Sequence, residues 1–362
     1  NDFIETYPFV GYQFSLLQKV FEKVRDMGYS GQHMSRGERS LLSSFQEAGI
    51  RVKDNKLGSL VPFNYFFESI EQFLEDVAKR PFTIAKNERK IDEFELEVLK
   101  LLFLLKGINE VKSNIDNLVS FMIDSTDCDR IALEEKIKKA LLKLEQQVLI
   151  QKDGDEYFFL TNEEQDINKE INQEQIDYEE VAKQLDSYIF GEIFSKPSIL
   201  SDETKLKYSF TRRIDEFFTS KKGEQLDIRI LTPYSEDYNN VLLIGIRDSE
   251  NELIVKFPED ETTYIDEIKL YLKVEKYVRR KNIESTRDTV LSILSKKQKE
   301  NNSRKKRIRA EIERVILKSE VYVYGQKKEI GNISDPSKFI ETALKFDIEF
   351  RFKSAGLLKT LY

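Results

Sequence analysis

The chain has 362 residues, 34% of them charged and 40% hydrophobic, and a formal net charge of −7. That acidity excludes a global attraction to nucleic acid, so any such contact must come from a local patch. A single cysteine, Cys128, and a single histidine, His33, exclude an internal disulfide, a cysteine-rich zinc site and a two-histidine metal site.

The length implies roughly two or three domains. The first residue is Asn rather than Met, which reads as an excerpt from a longer protein. No segment has the form of a signal peptide, and the most apolar run, Val98 to Leu105, is interrupted by Lys100. It falls short of the ~18 residues a membrane span requires and reads as a buried helix. Cytoplasmic localisation without a membrane partner is the expectation.

Tyr12 to Met27 places Phe14, Leu17, Val20, Phe21 and Val24 at helical spacing, and Gly28 stops the pattern. A polar loop from Tyr29 leads into a second helix, with Leu41, Leu42 and Phe45 as its apolar stripe, running to about Ala48. Gly37-Glu38-Arg39 stands in its first turn. A helix amino terminus favours phosphate through its free amides and macrodipole, and an arginine there adds a fork that can clasp it. On residue type alone a solvated Arg39 is the favoured reading, since arginines in the first turn of surface helices are common. Pro62 opens a third segment rich in Phe, and Pro81 closes it, so residues 1–85 read as a three-helix module.

Three further helices follow, Phe94 to Leu105, Asn114 to Met122 and Ile131 to Gln146. Val148 to Ile150 and Tyr157 to Leu160 then read as strands joined through Asp153-Gly154. Three helices and a turn-linked hairpin form the winged-helix pattern over residues 86–165. Its third helix would enter a DNA major groove in a DNA-binding version. That helix carries Lys136, Lys138, Lys139 and Lys143 beside Glu134, Glu135 and Glu145, and the wing adds Lys152. It lacks the arginine and asparagine that usually read bases. Protein contact and weak phosphate contact both remain open.

Residues 166–204 are an acidic helical connector, one helix or two in line, ending at Pro197. Over 205–284 the period changes to that of strands at Tyr208 to Thr211, Leu226 to Leu231, Val241 to Ile246 and Leu253 to Phe257. A small antiparallel sheet is expected, with Leu253 to Phe257 pairing back on Val241 to Ile246, and with a helix from Tyr264 to Lys281 packed on it. Residues 285–362 comprise a long helix, a hairpin centred on Gly325 and a terminal helix at Phe339 to Phe346. Between Leu294 and Ile308 the long helix has no apolar residue, and residues 285–318 carry a net charge of +7. Arg304, Lys305, Lys306, Arg307 and Arg309 are the DNA-binding candidates of this patch. A solvated spacer pairing with the acidic residues of 163–180, or contact with a phosphate backbone, would each account for it. The whole is mainly α with a smaller α+β part.

The sequence holds no Gly-x-x-x-x-Gly-Lys-Ser/Thr phosphate loop and no nucleophile elbow, and His33 has no placed partner. This chain by itself does not read as a catalyst.

Several stations together resemble the P-loop ATPases of bacteriophage-exclusion (BREX) antiviral defence systems. They are Tyr29 to Gln46, Leu60-Val61-Pro62-Phe63, Phe66 to Glu71, Glu97 to Leu104, Phe158 to Ile167, Leu226 to Pro233, Tyr271 to Tyr277 and Val323 to Lys327. The resemblance spans about residues 1–345 and fades after Phe346. It implies that an ATP-binding core lies upstream, and that ATP and magnesium belong to the full-length protein. It implies that residues 1–85 are the helical lid of an AAA+-type core and 86–165 a winged helix, as in origin-recognition initiators. Arg39 matches the place where such lids carry a nucleotide-sensing arginine. The spacing departs slightly from the initiator pattern, which leaves Arg36 as the alternative. Partners implied are other BREX proteins, DNA, or further copies of the chain. The two functional readings are a region coupling nucleotide state to protein or DNA contacts, and a DNA-binding winged-helix module using the basic helix. A free-standing enzyme ranks below both.

Overall fold

A computed structural model describes residues 2–26, 37–88, 91–240, 252–284 and 288–352. The chain divides into two compact units, residues 1–170 and 171–362.

The first unit begins with helices α1 (Asp2–Thr6), α2 (Tyr12–Asp26) and α3 (Gly37–Val52). A 3-10 turn, Phe63–Phe66, runs into the short α4 (Phe67–Glu71), and α5 spans Asp76–Glu88. Pro81 therefore does not end a helix, as its residue type predicts, but lies inside α5. An internal proline forfeits a backbone hydrogen bond. Burial of Ala78, Phe82 and Ala85 on the same helix offsets that loss.

α6 (Glu93–Leu104), α7 (Ile115–Met122) and α8 (Arg130–Gln146) follow. Each starts on a side chain that accepts from the first turn. Asp92 forms a reciprocal box with Glu95, Asn114 accepts from the amide of Asn117, and Asp129 accepts from those of Ile131 and Ala132. Strands β1 (Ile150–Asp153) and β2 (Glu156–Phe159) pair antiparallel across Gly154-Asp155. Gly154 has φ +65°, the left-handed conformation that a tight hairpin turn requires. One hydrophobic core runs from Leu16 to Phe159. Within it Phe82 of α5 stacks on Phe159 of β2 at 5.3 Å, with Phe103 of α6 edge-on to both.

α9 (Asn162–Gln173) crosses the boundary between the units, and α10 (Tyr178–Asp186) continues into a π-helical turn, Ser187–Ile193. The acidic connector is thus two helices. The sheet of the second unit uses β3 (Ser198–Leu200), β4 (Lys207–Ile214), β5 (Phe217–Phe218), β6 (Leu226–Leu231), β7 (Leu253–Lys256), β8 (Glu320–Val323) and β9 (Gln326–Lys328). Their order is β3-β4-β6-β7-β8-β9, with β5 paired to β4.

This sheet corrects the expectation of an antiparallel one. Its centre, β4-β6-β7, is parallel, with Phe210 opposite Leu226 and Ile228 opposite Leu253. The short β5 turns the chain back along β4, so that β6 starts again at the same end. Leu253 to Lys256 has both edges occupied, by β6 and β8, and so does not pair back on Val241 to Ile246. The strand expected at Val241 to Ile246 itself lies outside the described residues. Parallel strands covered on both faces need near-continuous apolar runs. Leu253, Ile254 and Val255 are all buried.

α11 (Thr263–Glu284), α12 (Asp288–Leu317) and α13 (Pro336–Arg351) complete the unit. Its core joins Ile214, Ile228, Ile230 and Val255 of the sheet to Ile265, Ile312 and Leu344 of these helices. Among the described residues no helix is long and apolar enough to cross a membrane.

Candidate functional site

The helix expected to face a DNA groove is α8. Ile137, Ala140, Leu141 and Leu144 point into the core. The opposite face carries Ile131, Glu135, Lys138 and Leu142, at i, i+4, i+7 and i+11. Ile131 is 78% exposed and Leu142 59%. Two large apolar side chains thus bracket an acid and a base on the outermost stripe.

Most of the expected phosphate-binding cations here have partners within the chain. The Lys136 ammonium lies 3.9 Å from the ring centre of Phe94. Lys138 is 2.9 Å from both Glu134 and Glu135, and hydrogen bonds to these two raise its pKa above the ordinary lysine value. Lys143 pairs with Glu95 at 2.8 Å, and Lys152 lies 5.7 Å from the ring of Tyr157. Lys139 is exposed.

The basic run of α12 is not a solvated spacer. Lys297, Asn301 and Arg304 are buried and continue the stripe from Leu294 to Ile308, against α11. Asn301 Nδ2 donates to the Tyr271 carbonyl at 3.1 Å and to Glu275 at 3.3 Å, while its Oδ1 accepts from Arg304 at 2.8 Å. Arg304 and Arg307 approach Glu267 at 3.4 and 3.5 Å. Lys305 pairs with Glu192 at 2.8 Å, a bond that raises its pKa. Arg309 meets Glu192 at 3.8 Å and Glu313 at 3.0 Å; Lys306 is exposed. Of the acidic stretch, Glu174 and Glu180 engage α11, through Arg280 at 2.6 Å and Lys276 at 4.0 Å. Charged side chains can be buried where a facing element supplies complementary charge. Glu267, Tyr271 and Glu275, one turn apart on α11, do so here.

Of the nucleotide-sensing arginines, Arg36 lies outside the described residues, as does His33. Arg39 falls within the first turn of α3, and its side chain is outside the described set.

A polar network that sequence reasoning missed occupies the carboxyl ends of the parallel strands. Asp215 follows β4 with φ +50°, and Thr232 follows β6. Oδ1 of Asp215 accepts from the Thr232 amide at 2.6 Å. Oδ2 accepts from the hydroxyls of Tyr178 at 2.6 Å and Thr232 at 2.8 Å. Burial pushes the Asp215 carboxyl up to about 6 against the lowering effect of these bonds. Beside it Arg229, 1% exposed, donates to the Asp215 carbonyl at 2.8 Å, to Asp237 at 2.8 Å and to Glu216 at 3.2 Å. Each group has partners, so the network pins loops 215–216 and 232–237 to the start of α10. The available signal was positional: Asp215 and Thr232 each stand one residue past a strand that ends on an apolar residue, Ile214 and Leu231.

Helices α11 to α13 cladding a mixed sheet with a parallel centre define the second unit as an α/β domain. Residues 174–346 match the family model described as BREX ATP-binding protein BrxC 4th domain with six-stranded beta sheet. This region therefore belongs to the BrxC-type BREX proteins, downstream of their ATP-binding core. The path β3-β4-β6-β7-β8-β9 supplies six strands. No solved structure matches the chain.

Proposed function

We propose that this chain is the accessory region of a BREX antiphage-defence ATPase. In this reading residues 1–85 form a helical lid and 86–165 a winged helix that makes protein contacts with other BREX proteins. Chemistry resides in the upstream core, where ATP and magnesium would bind. Among the described residues no three His, Cys, Asp or Glu are grouped to hold a metal ion, and no reaction step is assigned to them.

The outward face of α8 carries this reading. Exposed Ile131 and Leu142 lose their apolar hydration when a protein covers them, and gain little against a phosphate backbone. Glu134 and Glu135 oppose a phosphate backbone. The shared core supports coupling: Phe82 stacked on Phe159 makes the lid-like helices and α8 parts of one packed body. Such interiors transmit displacement because they are dense.

The test uses the full-length protein with Ile131→Ser and Leu142→Ser together, and separately Arg39→Ala. The first pair should abolish association with a purified BREX partner while ATP turnover of the core persists. Arg39→Ala should lower turnover. Association unchanged by the first pair removes α8 from the interface, and unchanged turnover removes Arg39 from nucleotide sensing. A low-salt gel shift decides the DNA alternative: duplex binding lost on Lys139→Ala with Lys306→Ala would favour it.

A further inference from the structure

We propose that the outward face of α8 pairs with the same face of a second copy of the chain, antiparallel about a two-fold axis. The inference rests on the reading of that face as a protein-contact surface, and it adds a second copy of the chain as an occupant that other BREX proteins would displace. Its basis is the order of residues along the stripe. An axis crossing α8 midway between positions 136 and 137 brings Ile131 to the level of Leu142 in the second copy. The same operation brings Glu134 and Glu135 to the level of Lys139 and Lys138. Glu134 and Glu135 lie in the amino-terminal half, Lys138 and Lys139 in the carboxyl-terminal half, and one large exposed apolar residue stands at each end, while Lys136 is turned to the ring of Phe94. A self-complementary patch of this kind is what an isologous two-fold contact requires.

The charges cost little to bring together, because Glu134, Glu135 and Lys138 are already paired within one copy and Lys139 is exposed. Lys138 sits 2.9 Å from both Glu134 and Glu135. On association each carboxylate exchanges part of that contact for a lysine of the other copy. Covering Ile131 and Leu142 supplies the drive, and the alternation of charge sets the antiparallel direction. The paired stretch is about three helical turns long, roughly 17 Å. A contact of that size lies at the small end of protein interfaces, so the dimer should be weak, in the micromolar to millimolar range.

Sedimentation velocity of the 362-residue chain, from about 10 μM to about 1 mM, should show a concentration-dependent monomer–dimer equilibrium. Two variants make the contact specific to α8. Glu134→Lys with Glu135→Lys gives a face of one sign, and Lys138→Glu with Lys139→Glu gives the other. Each alone should associate at least about tenfold more weakly, and an equimolar mixture should recover the dimer. Circular dichroism checks that both variants remain folded. A monomeric wild type at the highest concentration overturns the proposal, as do variants that dimerise as well as the wild type. Neither outcome touches contact with other BREX proteins, which the purified-partner measurement judges separately.

Discussion

The hydroxyl of Tyr178 donates to Oδ2 of Asp215 at 2.6 Å, so the first residue of α10 is fastened to the residue just past β4. A hydrogen bond to a buried carboxylate contributes about 1.5–3 kcal/mol. Tyr178→Phe keeps the ring, which stacks on Tyr234 at 5.8 Å, and removes only the donor. The variant should lose about that much stability, less whatever Thr232 recovers. The chain has no Trp, so urea unfolding followed by far-ultraviolet circular dichroism is the measurement.

Asp215, and separately Asp347 beside Arg351, give the second unit a pH response of unusual sign. Burial raises the carboxyls of Asp215 and Asp347 from 3.8 to about 6, although hydrogen bonds to Tyr178 and Thr232, and the charge of Arg351, act the other way. A carboxyl raised on folding binds its proton more tightly in the native state. Its stabilisation is full below the unfolded value near 3.8 and is lost as pH rises through about 6. Carboxylates whose lysine partners lower them, such as Asp202 and Glu320, act oppositely but only below their ordinary values of 3.8 and 4.5. Thermal melts between about pH 5 and 7 should therefore show rising stability toward the acid side. Asp215→Asn or Asp347→Asn should flatten that slope, and an unchanged slope in both would remove these two groups as its cause.

Asn301 is the hinge-pin of the α11–α12 seam, giving to the Tyr271 carbonyl and Glu275 and receiving from Arg304. Asn301→Leu leaves those groups buried with fewer partners and should cost about 2–4 kcal/mol. Lys306→Ala, on the exposed side of the same helix, should change stability by no more than about 0.5 kcal/mol. Urea midpoints of the two variants make the comparison. Similar midpoints would mean that the seam contributes no more than its solvent face.

These three sites mark where the sequence was legible and where it was not. Helices with an apolar stripe and a capping residue, such as α7 behind Asn114 and α8 behind Asp129, are set by local chemistry and were readable. So was the hairpin at Gly325, where Tyr324 and Gly325 both take positive φ. The parallel centre of the sheet was not, because Leu226 to Leu231 is apolar enough to suit either pairing, and pairing depends on partners far along the chain. The burial of Arg304 was hidden for a related reason. A polar run reveals its buried face only when the opposing Glu267 and Glu275 are in place, and no property of α12 alone contains them. Asp215 lacked any motif, since its chemistry comes from residues 37 positions before it and 17 after it.

The stacking of Phe82 on Phe159 bears on whether the first unit unfolds as one body. Phe82 belongs to α5, with α2 and α3 in residues 1–88, and Phe159 to β2, with α6 and α8 in residues 93–159; their rings lie 5.3 Å apart and nearly parallel. Both are buried, and Phe67 and Phe103 pack around them. Phe159→Ala should cost about 3–5 kcal/mol, the range for deleting a buried aromatic ring. If the two halves form one cooperative body, the loss must appear in both. Native-state hydrogen exchange of amides in α2 and α3, on one side, and in α6 and α8, on the other, should show protection falling by similar amounts. Retained protection in α2 and α3 alone would show that the halves open independently.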